Sequence, residues 1–350
     1  MRKTTKEIAI GSVKIGGGNP VAIQSMTNTD TKNAGATIRQ ILELEAAGCE
    51  IVRCAVYDLE CAEVIPEIKK GIHIPLVADI HFDHKIAVAS IKNGADKIRI
   101  NPGNIGGKKE ILEVVRAATD YNVPIRVGAN SGSLPRDLLE QYGNTAQALV
   151  QGAIRNIEIL TGAGFENIVI SLKSSDVKIC RDAYTQISAM TAYPLHLGVT
   201  EAGTYTDASI KSAIGIGALL LDGIGDTIRV SITGDPVREI EVAKKILQFC
   251  GERKDGVEII SCPTCARCTL DIEKLADQVA EYTRNLAGPL KIAVMGCTVN
   301  GPGEARESDL GVAGGGGWGV LFSHGEIIKK TPENQLLDEL KKLIDQFVAK

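Results

Sequence analysis

The chain has 350 residues, 44% of them hydrophobic and 23% charged, with a formal net charge of −4. Those values describe an ordinary folded globular protein and exclude both a disordered chain and a basic nucleic-acid-binding surface. The length exceeds what one hydrophobic core usually serves, but a (β/α)8 barrel absorbs ~250 residues and leaves room for one smaller unit.

The opening segment 7–14, with Gly11-Ser12 at its centre, reads as a hairpin that plugs a barrel floor. From residue 20 to 250, β-rich runs alternate with helical stretches. The strands are expected at 21–24, 50–54, 75–79, 96–100, 124–128, 167–172, 195–199 and 227–232. Between them, 36–48, 85–94, 108–120 and 146–164 carry apolar residues at helical spacing, several ending near a glycine. Eight strands, each followed by a helix, predict a parallel TIM-type barrel over residues 1–250, and a doubly wound open sheet is the competitor.

The polar, glycine-bounded stretch 251–256 marks a domain boundary. Beyond it, residues 251–350 predict a small α+β iron–sulfur domain: a strand (257–260), a Cys-x-x-Cys turn, a helix (271–285) and a second strand (291–295). A further loop, strands at 310–313, 319–322 and 326–329, and a terminal helix (333–348) complete it. The glycine run 314–319 reads as a tight turn between strands. No run approaches the ~18 apolar residues of a membrane span, and the polar N-terminus lacks a signal-peptide core, so the expected location is the cytoplasm, with no membrane partner. Nine cysteines in that compartment are expected to be thiols and ligands. Cys49, Cys54, Cys61, Cys180 and Cys250, set among apolar residues, are expected in the core.

In a barrel of this kind the C-terminal strand ends line the active site. Those positions hold Gln24, Ser25, Arg53, Asp79, His81, Arg99, Asn101, Arg126, Asn130, Ser131, Lys173, His196, Glu201 and Arg229. An inward position normally holds Val, Ile or Leu, so Arg53, Arg99, Arg126, Lys173 and Arg229 demand anionic partners. Internal carboxylates such as Asp79, Asp96 and Asp226 are one answer; a diphosphate-bearing ligand is the stronger one, because planar guanidinium donors suit phosphate oxygens. Glu201, just past strand 7 and without a basic neighbour in sequence, is the best general-acid candidate. His81 and His196 read equally well as catalytic or structural.

Cys262, Cys265 and Cys297 offer three soft ligands on Gly- and Pro-rich turns, and Glu304 adds a carboxylate seven positions beyond the last. That set suits an iron–sulfur cluster with one open iron or, alternatively, a zinc ion stabilising a non-redox barrel that binds a phosphorylated ligand. Cys268 is either a fourth thiolate or a spectator thiol.

The segments Gln24-Ser-Met-Thr-Asn-Thr-Asp30, Ile98-Arg-Ile-Asn-Pro-Gly-Asn104, Pro124-Ile-Arg-Val-Gly-Ala-Asn-Ser-Gly132, Gly225-Asp-Thr-Ile-Arg229, Ser261-Cys-Pro-Thr-Cys265 and Val299-Asn-Gly-Pro-Gly-Glu304 carry a resemblance. They look like those of the 4-hydroxy-3-methylbut-2-enyl diphosphate synthase family of the methylerythritol phosphate route to isoprenoids. The resemblance runs from about residue 6 to the C-terminus. It implies a [4Fe–4S] cluster on Cys262, Cys265, Cys297 and Glu304, and a barrel that holds a cyclic diphosphate substrate. It also implies a head-to-tail homodimer in which the cluster domain of one chain caps the barrel of the other. Diphosphate-binding roles fall on Arg53, Arg99, Arg126, Asn130 and Lys173, with Asp79, His81, Asn300 and Glu201 near the reacting carbons. Glu304 and Glu201 would take part in the chemistry. The expected reaction is reductive ring opening, and flavodoxin or ferredoxin is the expected donor because no flavin or nicotinamide fingerprint is present. Ala266, Cys268 and Gly316-Gly-Trp318 depart from the family pattern.

Overall fold

The computed structural model describes residues 2–254, 256–268, 270–284, 286, 288–297 and 306–349. The chain divides into two compact units, Met1–Arg253 and Lys254–Lys350.

The first unit is a barrel of eight parallel strands: β3 (Ala22–Met26), β4 (Ile51–Ala55), β5 (Leu76–Asp79), β6 (Lys97–Arg99), β7 (Ile125–Asn130), β8 (Ile168–Lys173), β9 (His196–Leu197) and β10 (Thr227–Ile228). They pair in the order β8-β7-β6-β5-β4-β3-β10-β9. The parallel bridge Ile170–Leu195 then brings β8 to β9 and the sheet round on itself. The open-sheet alternative is thereby set aside. Each expected strand is present; seven are displaced by one or two residues and the last, expected to reach 232, ends at Ile228, since a β-run in sequence does not mark where ladder pairing stops.

Several helices between strands begin where short polar side chains satisfy their first N–H groups. Asn33 Oδ1 accepts from Ala36 N at 3.0 Å, Asp58 Oδ1 from Cys61 N at 3.0 Å and Asp176 Oδ1 from Ile179 N at 2.9 Å. The helix Ala34–Ala47 ends on Gly48 at φ +101°, the left-handed conformation that glycine adopts without a Cβ penalty. Buried aliphatics from strands and helices form the barrel's main core, and Cys49, Cys54, Cys61 and Cys180 belong to it. Cys250, on the end of the helix Val237–Phe249, is half-buried instead.

The antiparallel hairpin of β1 (Ile8–Ile10) and β2 (Val13–Ile15) closes the floor. Ile8, Ile10 and Ile15 pack with Ala22, Ile51, Val77 and Val169, which lie toward the beginnings of the barrel strands. The turn needs Gly11, whose φ is +54°.

The second unit is a five-stranded sheet in the order β11 (Val257–Ser261), β12 (Leu290–Met295), β13 (Leu310–Gly315), β14 (Trp318–Ser323) and β15 (Glu326–Pro332). The first three run parallel and the last two antiparallel. The helices Ile272–Thr283 and Leu336–Val348 bury Val279, Leu340 and Ile344 against Ile292, Val294, Val312 and Leu321 on one side of the sheet. Between β13 and β14, Gly316 and Gly317 have φ +70° and +84°. Two consecutive residues in that region define the tight hairpin turn that suits the twist of the flanking strands.

At Gly128 the backbone of β8 leaves no room for a side chain: a Cβ there would lie 1.9 Å from the Ser171 carbonyl oxygen. Gly128→Ala is expected to destabilise the barrel by about 3 kcal/mol, because a rigid backbone has to move. Equilibrium denaturation in urea measures it.

Candidate active site

The barrel strands deliver alternate residues inward, and the inward positions near the mouth are cationic. Arg53, Arg126 and Lys173 are buried, while Arg99 and Arg229 are mostly enclosed. Lys97, two residues before Arg99 on β6 and therefore on the same face, is fully buried. Two carboxylates answer them among the described residues. Asp79 Oδ1 lies 3.2 Å from Arg99 Nη1, and its Oδ2 lies 3.7 Å from Arg53 Nε. Burial opposes its charge, but Arg53, Arg99 and Arg126 outweigh burial and hold the carboxyl below the usual aspartate range. Glu239, in the first turn of the helix Val237–Phe249, accepts from Arg229 Nη2 at 3.1 Å, Ser25 Oγ at 2.8 Å and Ile232 N at 3.2 Å.

Asp96 and Asp226, the other two carboxylates considered from sequence, do not reach these arginines. Asp96 accepts from Leu76 N at 2.7 Å and pairs with Lys69; Asp226 accepts from Leu195 N and Thr5 Oγ1, each at 2.8 Å. Both carboxylates precede the inward segments of their strands and cap backbone on the floor side. The result is an excess of buried positive charge. Among the described residues, Arg126 Nε and Nη1 have no hydrogen-bond partner. Burial, reinforced by Arg53 and neighbouring cations, pushes Arg126, Lys173 and Lys97 well below their ordinary pKa ranges. His196, fully buried with Nδ1 2.8 Å from Thr227 Oγ1, is pushed down by burial and then by Arg126 and Lys173, so it is a neutral imidazole.

A neutral acceptor spaces two of the arginines. Met26 Sδ lies 3.1 Å from Arg53 Nε, 2.9 Å from Arg53 Nη2 and 3.8 Å from Arg229 Nη1. A thioether accepts weakly and removes no charge, so both guanidiniums keep their attraction for an anion. Gly198 makes room for Lys173: a Cβ there would stand 2.9 Å from Lys173 Nζ.

At the rim, His81 Nε2 lies 3.0 Å from Arg99 Nη1 and accepts from it, which places the ring proton on Nδ1. A cavity of about 610 Å³ opens beside it, lined in part by Tyr57, Leu59, Phe82 and Ile86. Asn130 ends β7 opposite Lys173 on β8. Glu201 is exposed just beyond β9 at φ +51°, a conformation that costs a non-glycine residue about 1 kcal/mol or more and that recurs at functional sites.

In the second unit, β11, β12 and β13 end at one edge of the sheet. Cys262 follows β11 directly, and Cys297 stands two residues past β12. Gly296 N donates to Cys262 Sγ at 3.2 Å. Cys262 packs on the side of the sheet opposite the helices, with Ala293, Met295 and Phe322. Cys268 packs into the helix-side core, where a Cβ on Gly296 would lie 2.3 Å from its Sγ. Cys265 is exposed. Among the described residues, no three His, Cys, Asp or Glu side chains converge on a metal position. Glu304 and Asn300 lie outside the described residues. The donor chemistry still fits an iron–sulfur group: thiols at adjacent strand ends, one already receiving a backbone N–H, are what such clusters take.

Sequence reasoning passed over Lys97, Met26 and Glu239. The alternation Lys97-Ile-Arg99 was a usable signal for the first. Nothing in sequence separates Glu239 from the exposed charges beside it.

The architecture is that of a two-unit barrel enzyme whose barrel mouth carries more buried cations than carboxylates among the described residues. The chain belongs to the GcpE family: the GcpE TIM-barrel domain matches residues 5–244, and the GcpE protein C-terminal domain matches residues 258–346. Relatives include 4-hydroxy-3-methylbut-2-en-1-yl diphosphate synthase (flavodoxin) of Caldanaerobacter subterraneus subsp. tengcongensis, 56% identical over 99% of this chain and 98% of that protein. The protein of the same name from Fusobacterium nucleatum subsp. nucleatum is 54% identical over 99% and 98%. The zinc-stabilised, non-redox barrel finds no support among these relatives. Type I 3-dehydroquinate dehydratase from Clostridium difficile (TM-score 0.53, 16% identity, 70% of this chain and 97% of that one) shares the barrel fold alone. So does dihydropteroate synthase from Stenotrophomonas maltophilia (TM-score 0.51, 15%, 69% and 97%).

Two outcomes test the charge balance. Glu239→Gln is expected to cost about 3 kcal/mol of stability, since it leaves the mostly enclosed Arg229 without its counter-ion; urea denaturation reads this. Arg126→Met is expected to raise the melting temperature of the ligand-free protein while weakening inorganic diphosphate binding by about 2 kcal/mol, roughly 30-fold. Scanning and titration calorimetry read the two effects separately.

Proposed function

We propose that this protein catalyses the two-electron reductive ring opening and dehydration of 2-C-methyl-D-erythritol 2,4-cyclodiphosphate to (E)-4-hydroxy-3-methylbut-2-enyl diphosphate, with flavodoxin as electron donor. The observation that carries this reading is the uncompensated cationic lining of the barrel: among the described residues Arg126 has two nitrogens without a hydrogen-bond partner, Lys173 has no ion-pair partner, and Arg53, Arg99 and Arg229 share two carboxylates. The names of the relatives support the same reaction.

Arg53, Arg99, Arg126 and Lys173 bind the diphosphate, with Asn130 beside Lys173, and neutralise the charge that develops on its oxygens as the ring bond breaks. Asp79 holds Arg53 and Arg99 in place, and Arg99 in turn holds His81 as the Nδ1–H tautomer at the rim. Glu201, fixed in a strained loop conformation, is the acid that protonates the departing hydroxyl, which leaves as water. Cys262, Cys265 and Cys297, with Glu304, would hold a [4Fe–4S] cluster, and Asn300 adds a polar group near the substrate. When bound, that cluster supplies low-potential electrons and a Lewis-acidic iron. Substrate binding thus belongs to residues 1–250 and cofactor binding to residues 251–350. The family resemblance supports a homodimer in which the two parts of one site come from different chains. No helix among the described residues is long and apolar enough to cross a membrane. A reduced cytoplasm suits the thiolate ligands.

Iron, acid-labile sulfide and zinc per chain, measured on anaerobically purified protein, test the cofactor. About four irons and four sulfides are expected, with turnover of the cyclic diphosphate under reduced flavodoxin; one zinc without sulfide would sink the reading. Glu304→Ala is expected to keep an oxygen-sensitive cluster and lose most turnover, and full activity in that variant would remove Glu304 from the chemistry.

A further inference from the structure

Beneath the arginines that flank Asp79 the barrel carries a deeper polar pair. Lys97 stands two residues before Arg99 on β6, about 7 Å further in by strand rise. It is fully enclosed, and its Nζ lies 3.3 Å from Gln24 Oε1 on β3. Among the described residues it has no ion-pair partner. The charged and titratable groups that face it are Arg53 from β4, Arg126 from β7 and His196 from β9, none of them an anion in this setting. Asp79 on the neighbouring β5 is one step higher and engaged by Arg53 and Arg99; Lys173 on β8 lies toward the mouth. An ammonium enclosed without a counter-ion is costly, and an amine in the same place is not.

The second observation is Gln24 Nε2, which is buried and has no hydrogen-bond partner among the described residues. A neutral amine has a lone pair that can accept from that N–H, whereas an ammonium can only donate to Oε1. Half a turn of the amide exchanges the two, so Gln24 can serve either protonation state of Lys97 without any movement of the backbone.

We propose that Lys97 and Gln24 form a buried proton-accepting pair beneath the anion site: Lys97 is an amine in the free protein and becomes an ammonium when a polyanion is seated above it. The proton comes from solvent through the barrel mouth and adds to the nitrogen lone pair, and the Gln24 amide turns to present its oxygen. Anion binding and proton uptake are therefore linked, and affinity falls as pH rises between the low pKa of the free site and the raised pKa of the complex. Burial, Arg126 and Arg53 already hold the free-state value well below the ordinary lysine range. The proposal rests on the reading of the barrel mouth as a diphosphate site and adds the proton that accompanies the ligand.

The test is titration of inorganic diphosphate into the anaerobically purified holoenzyme, by calorimetry in two buffers of different ionisation heat near about pH 8. Wild-type protein is expected to take up about one proton more per diphosphate than Lys97→Met, because the ligand's own ionisation contributes equally to both. Equal uptake in two proteins that both bind diphosphate overturns the proposal and leaves the diphosphate site standing. Failure of the wild-type protein to bind removes that site and the proposal with it. A wild-type measurement covers the case in which Lys97→Met does not fold. With lysine labelled by carbon-13 at Cε, the Lys97 resonance, assigned as the buried lysine signal that Lys173→Met leaves in place, is expected at the amine position and should move to the ammonium position on diphosphate addition. Its absence overturns the proposal.

Discussion

The constraint on which the barrel unit depends is a surplus of enclosed positive charge. A parallel barrel normally fills its interior with branched aliphatics, and here guanidinium and ammonium groups occupy part of that volume. Each would cost several kcal/mol if left dry and unpaired. The protein offsets some of this with Asp79 and Glu239, spaces two arginines with a thioether, and leaves the remainder unanswered. An interior of this kind favours an anion: the charges that destabilise the free protein are the ones an anionic ligand would relieve. The well-packed aliphatic shell outside the strands, from Ile41 and Leu44 round to Ile240 and Leu247, is what allows the barrel to hold that tension.

Most of the architecture could be read before any coordinates, because a βα repeat leaves two periodicities in the sequence and both are set by local geometry. The eight strands, the floor hairpin and the two-glycine turn at Gly316-Gly317 are of this type. What escaped depends on long-range packing. Asp96 and Asp226 look like Asp79 in sequence, yet each sits at the start of a strand and is consumed by backbone N–H groups, while Asp79 sits at the end of one and meets arginines. Glu239 is invisible for the opposite reason: a first-turn helical carboxylate usually faces water, and only the docking of its helix beside β3 turns it inward. Arg53, Arg99, Arg126 and Lys173 were legible because a charge within an apolar strand has few explanations.

The cysteines divide in the same way. Spacing pointed to Cys262, Cys265 and Cys297, and parallel pairing of β11 and β12 explains how residues thirty-five apart reach one edge of a sheet. Spacing alone left Cys268 ambiguous. Packing separates it from Cys262, because the sheet lies between them: one thiol belongs to the helix side and the other to the opposite side.

The hairpin at the barrel floor has a further consequence. With Ile8, Ile10 and Ile15 packed over the lower end, the described residues close that side of the barrel and the mouth is its doorway. Everything that enters or leaves shares that doorway, so a bound molecule must depart before its successor can arrive. Water displaced from around the cations by an incoming anion has to pass outward against it. Traffic through the barrel is therefore sequential by construction, whatever the speed of the chemistry inside.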